Sequence, residues 1–148
     1  MHDHSKEAKN SLTHKHDSEH LLKHHGLKLT PLRKSLLSIL QNAQKPLSAE
    51  EIARKLKNVD YDRATLFRNL KTFVENHLCD AIDLGEGFQR FEIHQEAHHS
   101  HHIQCTNCKR IEEVHFCVPK EIEEALKKQG YSNISHRMDF FGICKKCS

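Results

Sequence analysis

Asp62-Arg63-Ala64-Thr65-Leu66-Phe67-Arg68-Asn69-Leu70-Lys71-Thr72-Phe73-Val74-Glu75-Asn76 is the stretch that decides how the first half of the chain folds. Ala64, Leu66, Phe67, Leu70, Phe73 and Val74 recur at helical spacing, which predicts a helix from near Asp62 to Asn76. Upstream, helical spacing runs from His20 to Gln41 through Leu29, Leu32, Leu36, Leu37 and Leu40. Within it, Thr30-Pro31 supplies a cap followed by proline at a first helical position. Ser48-Ala49-Glu50-Glu51 is a second start signal, a capping box whose helix continues through Ile52, Ala53 and Leu56 to near Asn58. Downstream, Leu78 to Ile82 and Phe88 to Ile93 alternate like strands, joined by Gly85-Glu86-Gly87. Three helices followed by a hairpin predict a winged helix-turn-helix.

In that layout the third helix enters the DNA major groove. Asp62, Arg63, Thr65, Arg68 and Asn69 at its start are placed to reach bases and phosphates. Arg63, Arg68 and Lys71 supply positive charge, and Lys28 and Arg33 extend it onto the first helix. An ordinary amphipathic helix with a solvated basic face is the competing reading. The adjoining wing and the metal-binding lobe favour DNA.

The last third carries a different chemistry. Cys105-Thr-Asn-Cys108 and Cys144-Lys-Lys-Cys147 are two CxxC pairs, and thiolates spaced by two residues can turn onto one ion. Together they predict a closed tetrahedral structural Zn²⁺ site, with a folded element separating the knuckles. Two disulfides would instead need an oxidising compartment, and nothing at the N-terminus resembles a secretion signal, so a cytoplasmic location is expected. The chain holds 15 histidines, clustered instead of scattered, as in His98-His99-Ser100-His101-His102. Clustered neutral imidazoles suit a borderline transition metal.

Around the knuckles, His101 to Gln104 and Ile111 to Phe116 read as strands. Pro119 to Gln129 reads as a helix with Ile122, Ala125 and Leu126 inside, ended by Gly130. Ser132 to Ile143 returns as a strand carrying His136. This is a small α+β unit of a kind that pairs through its sheet into a symmetric dimer. The fold expected overall is α+β: a polar, disordered, His-rich tail over 1–19, a winged-helix DNA-binding domain over 20–94, and a zinc-stabilised dimerisation domain over 95–148. At 36% hydrophobic residues and no tryptophan, each core must be modest, and a structural metal would help the smaller lobe. Net charge is only +3, so charge distribution matters more than the total: Lys23 to Arg68 is basic, Glu112 to Glu124 acidic. No apolar run approaches the ~20 residues that span a bilayer, so no membrane partner is expected.

The ordered set of these motifs resembles the ferric uptake regulator (Fur) family of bacterial metal-dependent repressors, from Gly26 to Cys147. Its landmarks are Gly26-Leu27-Lys28-Leu29-Thr30 with Arg33, Leu47-Ser48-Ala49-Glu50, Ala64-Thr65-Leu66-Phe67-Arg68-Asn69-Leu70, the histidine cluster leading into CxxC, and Gly142-Ile143-Cys144-Lys145-Lys146-Cys147. The resemblance implies a homodimer that binds a palindromic double-stranded DNA operator when a regulatory metal is bound. One departure is Phe67, where the family usually has tyrosine.

It also implies two regulatory ligand sets. The set joining the lobes is incomplete, because Pro46 and Ser100 stand where the family has histidines; Glu92 or His94, then His102 and Glu113, remain. The set within the metal lobe is expected to be His99, His101 and His136, with Glu121 as the helix carboxylate. Three imidazoles and a carboxylate suit Fe²⁺ or Zn²⁺, with Mn²⁺, Co²⁺ and Ni²⁺ as further candidates. Cys79 and Cys117 have no assigned role, and a buried thiol is most often a small core residue. A zinc hydrolase or deaminase would need HExxH or HxE…PCxxC, neither of which is present, and the basic third helix argues against it and against a metal-storage or chaperone protein.

Overall fold

Gly26 splits the first apolar stretch into two helices in the computed structural model, which describes residues 18–95 and 101–148. Helix α1 covers residues 18–24, with Leu22 fully buried. Gly26 then takes φ +69°, its N–H bonds Lys23 O at 3.0 Å, and Leu27 N–H bonds Leu22 O at 2.9 Å. Such a paired bond around a left-handed residue closes a helix end, and glycine takes that conformation at the least strain. The single helical span expected from His20 to Gln41 is thereby corrected. Leu29 falls in the extended link after the break and is 37% exposed, so it leaves the core set.

Helix α2, Pro31–Asn42, starts where the Thr30 hydroxyl accepts from Arg33 N–H at 3.2 Å, and buries Leu32, Leu36, Leu37 and Leu40. Strand β1, Leu47–Ser48, is too short to show any alternation. Ser48 also caps α3, Ala49–Lys55: Glu51 N–H donates to Ser48 Oγ at 3.1 Å, and Ser48 N–H donates to Glu51 Oε2 at 2.9 Å. The helix ends at Lys55, short of the expected Asn58. Helix α4, Arg63–Glu75, is capped by Asp62, whose carboxylate accepts from Thr65 N–H at 2.7 Å, and turns Leu66, Leu70 and Phe73 inward. That bond from Thr65 holds the Asp62 carboxyl below its ordinary range.

Strands β2, Cys79–Asp83, and β3, Gln89–Ile93, pair antiparallel as the wing, and β1 joins β3 from the other side. The buried Arg90 ties this sheet to the α3 cap. Its Nε and Nη2 donate to Glu86 at 2.7 and 3.0 Å, and its Nη1 donates to Glu51 Oε2 at 2.9 Å. Burial pushes the Glu51 carboxyl upward, but the Ser48 N–H and Arg90 outweigh it and hold the group below its ordinary range.

Phe73 lies fully buried in the core made by α1 to α4 and the wing. Phe73→Ala should cost about 3–5 kcal/mol, the range for removing a buried ring and leaving a cavity. Chemical denaturation of this unit measures it, and a loss under about 1 kcal/mol would mean the ring is not a core element.

The chain divides into two compact units, residues 1–95 and 96–148. In the second, β4, His101–Cys105, is the central strand. Strand β5, Ile111–Val114, pairs antiparallel to it, and β6, Asp139–Gly142, runs parallel on its other edge. Helix α5, Lys120–Lys128, occupies the crossover between β5 and β6.

Two expectations change here. The strand predicted over Ser132–Ile143 is only Asp139–Gly142, which leaves His136 in the connection before β6. α5 buries none of its residues: Ile122 and Ala125 are exposed and Leu126 half-buried. A unit this small has one three-stranded sheet, which is not enough to enclose a helix within a single chain.

Candidate metal centres and nucleic-acid face

Among the described residues, two groups of side chains converge closely enough to hold an ion. The first is Cys105, Cys108, Cys144 and Cys147, whose sulfurs all lie within 4.8 Å of one another. Strand pairing makes this group: β4 ends at Cys105 and β6 ends beside it at Gly142, so each strand delivers its own CxxC turn to the same end of the sheet. Thr106 N–H bonds Gly142 O at 2.8 Å and fastens the two turns together. Cys108 Sγ and Cys144 Sγ are 3.7 Å apart. A tetrahedron with metal–sulfur bonds of about 2.3 Å has edges of about 3.75 Å, so the donor set fits Zn²⁺. All six cysteines are thiols, and no disulfide competes for these sulfurs. The Cys144 and Cys108 N–H groups donate to Cys105 Sγ at 3.3 and 3.5 Å and draw its thiol down to about 6, favouring the thiolate a metal needs.

The second group is His101, Cys117 and His136. His101 Nε2 and His136 Nε2 are 3.3 Å apart, and Cys117 Sγ lies 3.3 Å from the first and 3.1 Å from the second. Each comes from a separate place in the second unit. His101 opens β4, Cys117 sits between β5 and α5, and His136 precedes β6. The two imidazoles stack with centroids 5.1 Å apart. His101 is buried, His136 is half-buried, and Cys117 is exposed.

Of the ligands expected for this site, the structure brings His101 and His136 together. His99 lies outside the described residues, as do the histidines of the 1–17 segment. Glu121, exposed in the first turn of α5, is not in the converging group. The α5 carboxylate whose charge interacts with His136 is Glu123, itself ion-paired with Lys127 at 2.7 Å. Cys117 is the member of the converging group that sequence reasoning left unassigned, because a single cysteine away from both CxxC pairs has no spacing to read. Cys79 does behave as a core residue: burial, and then the neighbouring Asp80, push its thiol up to about 12.

The residues expected in the other regulatory set fall into both units. In the first, Glu92 sits across from Asp80 in the wing, and His94 Nδ1 pairs with the Asp80 carboxylate at 2.9 and 3.0 Å. Pro46 is buried, with its carbonyl accepting from Arg90. In the second unit, His102 is buried on β4 directly opposite Glu113 on β5.

The candidate DNA contacts lie on α4 and the start of α2. Arg63 and Arg68 are exposed on α4. Arg68 Nη2 donates to Thr65 Oγ1 at 3.0 Å, and the Arg63 guanidinium lies 5.5 Å from the centre of the Phe67 ring. Phe67 itself is 43% exposed. Arg33 is half-buried and braces α2 against α4: its Nε donates to Asn69 Oδ1 at 2.9 Å and its Nη1 to Lys28 O at 3.3 Å. Lys28, Arg33, Thr65 and Asn69 border a groove of ≈ 590 Å³ between these helices. The polar groups of the face are therefore pre-arranged by one another.

Comparison with known proteins agrees with this architecture. The sequence profile of the ferric uptake regulator family matches residues 24–141. The ferric uptake regulation protein of Bacillus subtilis (strain 168) is 32% identical over 127 residues, covering 82% of this chain and 85% of that protein. The peroxide operon regulator of the same organism is 31% identical over 130 residues, covering 86% and 88%. Among solved structures, the ferric uptake regulator of Helicobacter pylori, described as having three functional metal-binding sites, superposes with a TM-score of 0.71 at 27% identity over 91% of each chain. With a profile match over residues 24–141, a relative 32% identical over 82% of the chain and a solved ferric uptake regulator of the same fold, the chain belongs to the ferric uptake regulator family of transcriptional regulators and is not an enzyme.

Proposed function

We propose that this protein is a cytoplasmic, metal-dependent repressor that binds a palindromic DNA operator as a homodimer. The observation that carries the reading is the second ligand group. Four thiols make a closed site suited to structural zinc, whereas the second group has three ligands among the described residues, the number of protein ligands typical of a site whose ion can exchange. One site would hold the second unit together and the other would report metal. Residues 20–94 would read DNA and residues 95–148 would dimerise.

His101 and His136 would be the imidazole ligands of the regulatory ion, iron or zinc, with manganese, cobalt and nickel as further candidates; His99 and Glu121 would complete or adjust the shell. Glu92, His94, His102 and Glu113 would form at most a weaker second set, since His94 is already paired with Asp80. The dimer draws support from the exposed apolar side chains of the second unit. Phe116, Ile122, Phe141 and Ile143 are each large apolar side chains about half or more exposed, as residues covered by a second copy would be. No described helix is long and apolar enough to cross a membrane.

Arg63→Ala and Arg68→Ala test the DNA face. Each should weaken binding to a palindromic duplex selected from a randomised pool while fold and metal content stay unchanged. A base-contacting arginine should cost about 1–3 kcal/mol and relax sequence preference, and a phosphate contact should flatten the salt dependence. If neither variant changes affinity or salt slope, α4 is not the reading helix.

A further inference from the structure

The donors of the second ligand group differ in kind from the imidazole and carboxylate set expected of it, and the difference bears on which metal it takes. We propose that Cys117 is a metal ligand, and that the His101–Cys117–His136 group is a thiolate-bearing site selective for Zn²⁺ over Fe²⁺ and Mn²⁺. This rests on the reading of that group as the regulatory site.

The geometry argues first. Two Zn–N bonds of about 2.05 Å at a tetrahedral angle place their nitrogens about 3.35 Å apart. His101 Nε2 and His136 Nε2 stand 3.3 Å apart. One Zn–S bond of about 2.3 Å beside such a Zn–N bond gives a sulfur–nitrogen edge of about 3.55 Å. The Cys117 sulfur lies 3.3 and 3.1 Å from the two nitrogens, so each edge opens by a few tenths of an ångström when an ion enters. Cys117 is exposed in a connection between β5 and α5, where that adjustment disturbs no core packing. All three donor atoms face one another in a single triangle, as ligands around one ion must.

The chemistry argues second. Thiolate favours zinc and softer ions, imidazole is shared by zinc, copper, iron and nickel, and carboxylate with water suits manganese and magnesium. Putting sulfur in the triangle therefore shifts preference away from the oxygen-loving ions. The three ligands found among the described residues account for three of the four positions of a tetrahedral ion. The site lies at the start of β4, while the four-thiol group lies at its end. Zinc at the His101–Cys117–His136 group would clamp the connections before α5 and before β6 onto the sheet whose other end zinc at the four thiols would staple.

The test uses the full-length protein with one retained zinc per chain. Zn²⁺, Fe²⁺ and Mn²⁺ are titrated separately into wild type, Cys117→Ser, Cys117→Asp and His136→Ala, and Co²⁺ serves as a spectroscopic probe. Retention of the four-thiol zinc and the circular dichroism spectrum report folding, and Cys117 is exposed enough that neither should change. Even loss of an outer-shell partner costs a metal site about 10–100-fold, so losing the thiolate should weaken Zn²⁺ by at least about a hundredfold. Fe²⁺ and Mn²⁺ affinity should change far less. Added Co²⁺ should give a thiolate-to-metal charge-transfer band in wild type that is missing in Cys117→Ser, and Cys117→Asp should favour Mn²⁺ and Fe²⁺ relative to wild type. Unchanged Zn²⁺ affinity and an unchanged cobalt spectrum in Cys117→Ser, with loss of metal in His136→Ala, overturn the thiolate proposal and leave the regulatory site standing. If His136→Ala also keeps its metal response, the regulatory reading itself has failed.

Discussion

Cys105→Ser or Cys144→Ser is expected to release the structural zinc and unfold the second unit or dissociate the dimer. Each substitution removes one thiolate from a set whose sulfurs all lie within 4.8 Å. The loss should be severe because so little else holds this unit. Its sheet has three strands, α5 buries nothing, and several large apolar side chains lie exposed. Metal binding in small zinc peptides contributes on the order of 10 kcal/mol to folding, comparable to the whole stability of an ordinary domain. Cys105 is the more sensitive of the two, since it is buried and also accepts the Cys144 and Cys108 N–H groups. Zinc content, size-exclusion profile and denaturation of the isolated variants measure the effect. A variant that stays a folded dimer without zinc would show that the four cysteines are not what holds the unit.

The second large effect belongs to His101→Ala combined with His136→Ala. Both imidazoles of the second ligand group disappear while the four-thiol group is left intact. Metal-activated DNA binding should vanish, and the structural zinc should stay. The physical link is a population shift: an ion tying β4 to the segments before α5 and β6 stiffens the unit through which two copies would pair, and so favours the spacing at which both α4 helices meet the operator. Removing the ligands leaves the protein in its inactive population whatever the metal concentration. His102→Ala is the control for the other set. If the double variant still responds to metal and His102→Ala does not, the regulatory ion sits elsewhere.

How much of this was legible in the sequence varies with the physics of each element. Caps marked the starts of α2, α3 and α4, because Thr30, Ser48 and Asp62 each bond a backbone N–H three residues on. The break at Gly26 was written in the sequence as a helix-ending glycine, yet the continuing leucine spacing masked it. β1 could not be read at all, because two residues have no period. The strand expected to carry His136 was too long: only Asp139–Gly142 has a partner to pair with, the central strand β4. The inward face assigned to α5 failed for a different reason. Its apolar residues do recur at helical spacing, but periodicity says which residues share a face, not what covers them.

The four-thiol site was legible because two CxxC pairs carry their geometry in their spacing. The second site was only half legible. His101 and His136 followed from a family resemblance, while Cys117 came to them through the chain reversal between β5 and α5, which no local pattern announces. Glu121 was a choice among the acidic residues of one helix, and the carboxylate that His136 influences is Glu123.

The most direct test of the central claim is the affinity of the zinc-stapled full-length protein for a selected palindromic duplex, measured by fluorescence anisotropy with the second site first emptied and then filled. Coupling of about 1–3 kcal/mol between two sites corresponds to roughly 5–150-fold in affinity. Filling the second site should tighten binding by a factor in that range, at a stoichiometry of two chains per duplex and with affinity falling steeply as salt rises. Equal affinity for the duplex with the second site empty and filled, or no sequence-selective binding in either state, would contradict the account.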